Sequence, residues 1–150
     1  MTFSLENLIS SIAVMLDNAF GLPVYVDTNQ QSTDYPCFFI FLVNPSIDDE
    51  IDRRRFRNIG IDVVYVQQRN VPDIDSNNTA MVDALDELLD TITYSNDDDE
   101  TAILHCYEHS AHVTDDDLHY QFRVKIHVTT PIDRNPMQEI ESANVNVEGD

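Results

Sequence analysis

Between Tyr35 and Arg69 the chain has the sequence YPCFFIFLVNPSIDDEIDRRRFRNIGIDVVYVQQR. Residues 37–43 form a continuous aromatic and β-branched run, which is typical of a strand buried on both faces. Proline and polar residues at 44–50 then favour a bend. From residue 51 the polarity alternates, and the stretch closes on apolar residues at 61–65. The pattern predicts one long β-hairpin.

The predicted hairpin is long for a chain of 150 residues. A strand from Glu50 to Val66 would span about 55 Å at about 3.3 Å per residue, whereas a domain of this size is roughly 40 Å across. The strand must therefore bend, break near Gly60, or project beyond the domain. A projecting hairpin has unpaired backbone groups along its edge, and another copy of the chain would satisfy them. We therefore expect the protein to associate with itself.

An amphipathic helix is predicted on each side of the hairpin. Apolar residues spaced by three and four positions indicate the first helix over residues 3–19. Ser4 can cap this helix, and Gly21 ends it. The second helix is expected from Asn78 to Thr93, behind an N-cap at residue 76 or 77. Each helix has one apolar stripe, so each is expected to pack on a core.

The remaining strands give the fold class. A short strand starts at Pro23, and a second hairpin joins residues 101–113 to residues 118–130. The order α-β-β-β-α-β-β predicts an α+β fold, with a mainly antiparallel sheet of about five strands, two helices packed on one face and a long projecting β-hairpin. We expect one domain over residues 1–131 and a polar, acidic C-terminal tail over residues 132–150.

The charge of the chain is unusual. Lys and Arg number 8 against 28 Asp and Glu, which gives a formal net charge of −20. Such self-repulsion destabilises a compact state in dilute buffer, but salt screens it, and the Debye length is about 3 Å at 1 M. Because Lys125 is also the only lysine, we expect a halophilic source, with an acidic mesophilic protein as the alternative. The negative charge argues against nucleic acid as a direct ligand.

Several classes of function are disfavoured. No apolar run approaches the roughly 20 residues of a membrane span, and the N-terminus lacks the basic segment of a secretion signal. A cytosolic chain is therefore expected, with Cys37 and Cys106 as buried thiols. The chain has 3 glycines and no phosphate-binding loop, nucleophile elbow or zinc-protease motif. We predict no enzymatic activity, no catalytic residue and no cofactor.

Two stretches show a weak likeness to metal sites. Residues 73–77 begin like a calcium loop, but positions 78 and 84 lack the glycine and glutamate that the loop needs, so we interpret them as the entry to a helix. His105 and His109 would share one face of a strand and His112 the other. Surface or interface histidines are the favoured interpretation, and no metal ligand is predicted. The acidic runs 97–99 and 115–117 are expected to be solvated turns, with weak cation binding as the alternative.

One polar cluster stands out, and it contains half of the basic residues of the chain. It consists of Arg53, Arg54, Arg55, Phe56 and Arg57. Along a strand these residues alternate between two faces, with the first, third and fifth on one face. A solvated face is one interpretation. The functional hypothesis is a subunit interface, in which this basic patch meets an acidic region of a neighbouring copy and closes a head-to-tail ring.

An ordered set of short motifs resembles a known family. The motifs are Pro23-Val24-Tyr25, Pro36-Cys37-Phe38-Phe39-Ile40, Asn44-Pro45, Arg54-x-x-Arg57, Asp62-x-x-Tyr65 and Leu118-His119-Tyr120. Spread over residues 5–130 in this element order, they resemble the tail terminator family of tailed phages. The acidic composition departs from the usual members, and the tail after Pro131 has no counterpart in the family.

The resemblance implies a structural virion protein. Members of this family form a ring, commonly six-fold, at the head-proximal end of the tail tube, where they end tube polymerisation and join the tail to the head connector. The implied partners are sister copies, the tail tube protein and the head–tail connector protein. DNA would pass through the lumen without specific binding, and assembly would take place in the host cytoplasm. Arg54 and Arg57 would lie near a subunit interface. Combined with the acidic charge of the chain, the resemblance points to a virus of a halophilic host.

Two further functions stay open. Another head–tail connector, neck or baseplate component could use the same scaffold. A metal-dependent hydrolase that uses the Asp and His clusters is the less favoured alternative.

Overall fold

The computed structural model describes residues 3–26, 34–49 and 54–129, without the side chains of residues 44–49, 54–56 and 127–129. This part of the chain contains two helices and six strands. In chain order they are α1 (Leu5–Phe20), β1 (Val24–Tyr25), β2 (Cys37–Asp49), β3 (Arg54–Val66), α2 (Ile74–Leu88), β4 (Thr91–Ser95), β5 (Thr101–Thr114) and β6 (Asp117–Thr129). The expected tail at 132–150 lies outside the described residues.

The six strands form one sheet in the order β1-β2-β3-β6-β5-β4. All pairs are antiparallel except β1 with β2, so the sheet is mixed. The predicted α+β class with a mainly antiparallel sheet is confirmed, and the strand that the prediction omitted is β4. None of the described helices is long and apolar enough to cross a membrane.

The long hairpin is confirmed as β2 and β3, and the structure adds a third strand to it. β3 pairs with β2 on one side and with β6 on the other from Arg54 to Tyr65. At about 3.3 Å per residue, β3 is about 43 Å long. Because β3 is an interior strand, its backbone does not form an open edge. Within the described residues, the open edges of this region belong to β2, where β1 covers only Phe38 and Phe39, and to β6 beyond Val124, the last residue that pairs with β5.

Gly60 marks an irregularity, although β3 does not break there. The ladder between β2 and β3 changes register between Val43 and Ser46, directly opposite Gly60. A Cβ at Gly60 would overlap the carbonyl oxygen of Val43 and lie 2.8 Å from Nη1 of Arg123. The absence of a side chain therefore allows the bulged β2 backbone and the Arg123 side chain to approach β3.

Helix α1 begins and ends as the sequence predicts. The Ser4 hydroxyl accepts a hydrogen bond from the Asn7 amide at 3.1 Å. At the other end Gly21 has a φ of 66°, and its amide donates to the Asp17 carbonyl. Leu8, Ile12 and Leu16 are completely buried between these caps.

Helix α2 is placed differently from the prediction. It begins at Ile74 and ends at Leu88, with Asp73 as N-cap in place of residue 76 or 77. Residues Thr91–Ser95 are strand β4, in which Ile92 and Tyr94 are buried while Thr93 is exposed. The apolar stripe of α2 is followed at once by the alternating residues of β4. The spacing of Leu88, Leu89 and Ile92 therefore fits a continued helix as well as a helix followed by a strand.

A buried polar network explains the early start of α2. The Gln67 side chain, 5% exposed, donates to the Ile74 carbonyl and to the Asn78 side chain, both at 2.9 Å. Asn77 donates to the Gln67 side chain at 2.8 Å, and Asn78 donates to the Asp116 carbonyl. Residues 77 and 78 therefore bind the end of β3 and the β5–β6 turn from within the first turns of the helix, not from its cap.

Both helices share one core with one face of the sheet. Leu85 and Leu89 join the α1 side chains against β3 and β6, and the residues that these strands contribute to the core alternate along each strand. The sheet residues in this core include Phe38, Ile40, Ile59, Ile61, Val63, Leu118, Tyr120, Phe122 and Val124. The expectation that residues 37–43 are buried on both faces was wrong, because Phe39 and Phe41 are only half-buried on the face that carries no described helix.

The close approach at Gly60 gives a stability prediction. Gly60→Ala should lower the free energy of unfolding by about 2–3 kcal/mol, because the added methyl overpacks the β2 backbone. Gly21→Ala is the control: nothing lies within 4 Å of its added Cβ, and the positive φ alone should cost about 1 kcal/mol. Denaturation of both variants in one buffer tests the order, and an equal or smaller loss at Gly60 would contradict it.

Candidate functional site

The predicted arginine cluster lies at the far end of β3. Arg54, Arg55 and Phe56 are strand residues opposite residues 127–129 of β6. Arg53 lies outside the described residues. We call the three-stranded end of the sheet, formed by residues 43–49, 54–60 and 123–129, the arm. It extends past Val124, the last β6 residue that pairs with β5.

Arg57 is the arm residue whose contacts are best defined. Its guanidinium carbon lies 5.2 Å from the centre of the Phe3 ring, a cation–π contact at the start of α1. Its Nε atom is buried and has no hydrogen-bond partner among the described residues. Arg57 therefore anchors the base of the arm to the first helix and is more than a solvated cation.

Two further cations join the arm from β6. Arg123 lies opposite Gly60, and its Nε donates to the Asn58 side chain at 2.6 Å. Lys125 lies opposite Asn58, with its ammonium 5.4 Å from the centre of the Tyr107 ring. With residues 54, 55 and 57, five of the 8 basic residues of the chain lie on the arm. Sequence reasoning missed Arg123 and Lys125 because only the β3–β6 register brings them beside the cluster.

The sheet face opposite the two helices, which we call the outer face, contains apolar and polar regions. Its residues, taken from the ladder registers, include Cys37, Phe39, Phe41, Val43, Asn58, Gly60, Asp62, Val64, Tyr107, Ser110, His112, His119, Gln121, Arg123 and Lys125. Tyr25, Phe39 and Phe41 form an aromatic row with ring centres 5.5 and 6.2 Å apart. These aromatic side chains are half-buried although no described helix covers them.

A pair of histidines lies beside this aromatic row. His119 Nδ1 is 2.9 Å from Oδ2 of Asp62, and the His119 ring stacks on His112 with centres 4.9 Å apart. Asp62 is 7% exposed, and its Oδ1 has no hydrogen-bond partner among the described residues. The Tyr107 hydroxyl on the same face is also buried without a described partner.

The expected arrangement of the β5 histidines was wrong. His109 packs against Tyr120 and Phe122 on the core face, whereas His112 lies on the outer face. Glu108 has a φ of 55°, and the β5–β6 register shifts between residues 107 and 110. This bulge reverses the alternation, so His109 does not share a face with His105.

His109 belongs to a chain of hydrogen bonds. Its Nδ1 lies 2.9 Å from the Tyr120 hydroxyl, which in turn donates to the Asp86 carboxylate in a very short hydrogen bond. Burial, together with this carboxylate, raises the pKa of the Tyr120 phenol far above its usual range. The phenol is therefore a permanent donor that holds α2 against β6.

The described residues offer no metal centre. Within 3–26, 34–49 and 54–129, no group of three or more His, Cys, Asp or Glu side chains is arranged to hold an ion. Residues 73–77 form the N-cap and first turn of α2, and not the loop before the helix that the sequence predicted. Cys37 and Cys106 are free and buried, and burial raises the pKa values of their thiols to about 11 and about 12. Both thiols are thus protonated near neutral pH and chemically quiet.

Comparison with known proteins identifies the family. A family model described as phage tail terminator protein matches residues 7–136. The chain belongs to the phage tail terminator protein family. This result confirms the resemblance of the ordered motifs. A search of the curated proteins finds no significant match.

Membership in the tail terminator family defines the class of function. The chain is a structural component of a phage tail, and the family is not one of enzymes. Its partners are other tail and head components of the virion. A tail terminator protein acts through contacts with other virion proteins, so the arm and the outer face are its candidate functional surfaces.

The turn between β5 and β6 gives a pH prediction. Burial raises the pKa of Asp117, and the neighbouring Asp115 and Asp116 add to this effect, while Arg69 and His119 oppose it. A raised folded-state pKa means that stability falls as pH rises from the unfolded pKa through the folded one. Asp117→Asn should therefore raise the melting temperature at pH 7 and change it little near pH 3.

The control for Asp117→Asn is Asp98→Asn, which removes the same charge from an exposed loop. Thermal melting of both variants at the two pH values separates the local effect from the general loss of negative charge. An equal gain from both variants at pH 7 would contradict the role of burial at Asp117.

Proposed function

We propose that this tail terminator family member forms a homo-oligomeric ring, with six subunits as the expected number, at the head-proximal end of the tail tube. There it ends tube polymerisation and joins the tail to the head–tail connector. DNA passes through the lumen without specific binding, and assembly takes place in the host cytoplasm. The direct partners are sister copies, the tail tube protein and the connector protein.

The proposal of a ring rests mainly on the open edge of the arm. Residues 40–49 of β2 pair with β3 on one side and have no described strand on the other. An open edge of this length invites pairing with another chain, and soluble monomers normally block such edges. If a neighbouring copy pairs with this edge, the two copies associate side by side in the plane of the sheet.

The distribution of charge supports contact between unlike surfaces. The arm gathers most of the basic residues of a chain whose formal charge is −20. Two identical acidic surfaces would repel, whereas a basic arm facing an acidic surface of the next copy attracts it and sets its orientation. Repetition of an unlike contact around an axis gives a closed ring. Arg53, Arg54, Arg55, Phe56 and Arg57 are thus proposed interface residues.

The negative charge of the chain supports free passage of DNA and a halophilic host. An acidic bore repels DNA and favours its free passage. In molar salt the Debye length is about 3 Å, so repulsion between acidic residues is weak beyond that distance. A ring of strongly acidic subunits therefore costs less free energy to assemble there. The proposed virus therefore infects a salt-loving cell.

Ring formation is tested by the mass of the purified protein in molar salt. The wild type should have a mass several times 17.2 kDa, visible by light scattering and as annular particles in the electron microscope. At the lowest salt concentration at which the wild-type oligomer persists, Arg53→Glu combined with Arg55→Glu should raise the dissociation constant of the oligomer at least about tenfold, because two attractive contacts become repulsive. Arg57 is retained because it packs on Phe3.

The control for this double variant is Arg69→Glu, which adds negative charge at the opposite end of β3. It should leave the oligomer mass unchanged. A monomeric wild type at high concentration in molar salt would contradict the ring. An intact oligomer in the double variant would remove the arginine cluster from the interface.

The halophilic origin is tested by melting the wild type across a salt series. The melting temperature should rise from about 0.1 M to molar salt as the repulsion between carboxylates is screened. A maximum near 0.1 M would contradict a halophilic host.

A further inference from the structure

We propose that the outer face is covered by helix α2 of the next copy in the ring, with the carboxylates of that helix facing Arg123 and Lys125. The inference rests on the proposed ring and names the two surfaces that meet in it. One surface is the outer face as defined above. The other is the exposed side of α2, which carries Asp83 and Glu87.

The outer face lacks a covering layer within the described residues. Both described helices pack on the opposite face of the sheet, where they share the core. Yet Phe39 and Phe41 present stacked aromatic rings on the outer face, next to the buried side chain of Val64. A sheet with aromatic side chains on both faces is typically covered on both. The apolar part of the outer face therefore favours a protein layer over solvent.

The charge of the outer face selects the partner. Arg123 and Lys125 lie there with Asp62, which is bonded to His119, and with Glu108 at the edge of a cleft of about 250 Å³ beside Arg123. The face is thus close to neutral in a chain of net charge −20. Another acidic copy therefore meets less repulsion on this face than the net charge of the chain implies.

Helix α2 supplies the complementary charge. Its sequence IDSNNTAMVDALDEL contains four acidic residues and no basic one. Asp83 and Glu87 are exposed and one turn apart, so they project from the same side of the helix. Acidic groups near a helix C-terminus are unfavourable, because that end carries partial negative charge. The last turn of α2 contains no basic residue. Cations from a neighbouring copy would therefore relieve this unfavourable interaction.

Two shielded polar atoms also lie on the outer face. Oδ1 of Asp62 and the hydroxyl of Tyr107 are buried and have no hydrogen-bond partner among the described residues. An unpaired buried polar atom costs about 1–3 kcal/mol. Because neither atom is accessible in the single chain, a covering helix would reach it only after the surrounding side chains move, so these two atoms do not select the partner.

Nucleic acid is a poorer occupant of the same face. Strong binding to DNA requires several cations, because the affinity depends on the number of phosphates that Lys and Arg neutralise. The outer face has Arg123 and Lys125 against Asp62 and Glu108, so it has no excess of positive charge for a DNA strand. A second copy, with the exposed carboxylates of its helix α2, fits the face better.

The experiment uses two charge-reversed chains. The first carries Lys125→Glu, which alters the outer face, and the second carries Asp83→Lys with Glu87→Lys, which alters α2. Each is measured by light scattering at the lowest salt concentration at which the wild-type oligomer persists, so that screening is minimal. Each variant alone should assemble at least about tenfold more weakly than the wild type.

Mixing the two variants is the decisive step. In an alternating ring the reversed outer face of the first chain meets the reversed helix of the second, and the two unaltered surfaces also meet. The equimolar mixture should therefore recover the wild-type mass. Arg69→Glu serves as a charge control, and thermal melting of each chain checks that it is folded.

Each outcome separates the two proposals. A monomeric wild type overturns the ring itself. A wild-type oligomer that Lys125→Glu leaves intact, or a mixture of two weakened variants that stays dissociated, overturns the pairing of outer face and α2 while the ring stands. Loss of duplex DNA binding by Lys125→Glu with unchanged oligomer mass would assign the face to DNA and also overturn the proposal.

Discussion

The ladder between β3 and β6 is the constraint on which the rest of the molecule depends. These two strands pair without interruption from Arg54 with Thr129 to Tyr65 with Leu118. One face of the ladder supplies most of the core side chains under α1 and α2. The opposite face and the far end supply the outer face and the arm. A single register therefore fixes the core and both proposed contact surfaces.

This register explains which features the sequence could predict. The β2–β3 hairpin, both ends of α1 and the fold class depend on local patterns of apolar spacing, capping and turns, and those patterns are visible in the chain itself. The end of α2 was misplaced because Leu88, Leu89 and Ile92 suit a helix and a buried strand equally well. Only the buried alternation of Ile92 and Tyr94 in the structure separates the two.

The candidate site was less predictable than the fold. The arginine cluster is contiguous, so the sequence identified it directly. Arg123 and Lys125 join it only through pairing with residues more than 60 positions earlier, and no single sequence gives that pairing. The histidines of β5 show the same limit on a smaller scale, since one bulge at Glu108 reverses the faces of every residue that follows.

The acidity of the chain makes the position of its few cations informative. In a chain with balanced charge, two cations on a sheet face would be unremarkable, because exposed ion pairs contribute little free energy. Here 28 acidic residues face 8 basic ones, so most approaches between two copies are repulsive. In the proposed ring, association would use a surface where repulsion is small, and β6 places Arg123 and Lys125 beside an aromatic row. In such an assembly, charge would act mainly by excluding wrong contacts, and apolar burial would supply the affinity of the remaining contact.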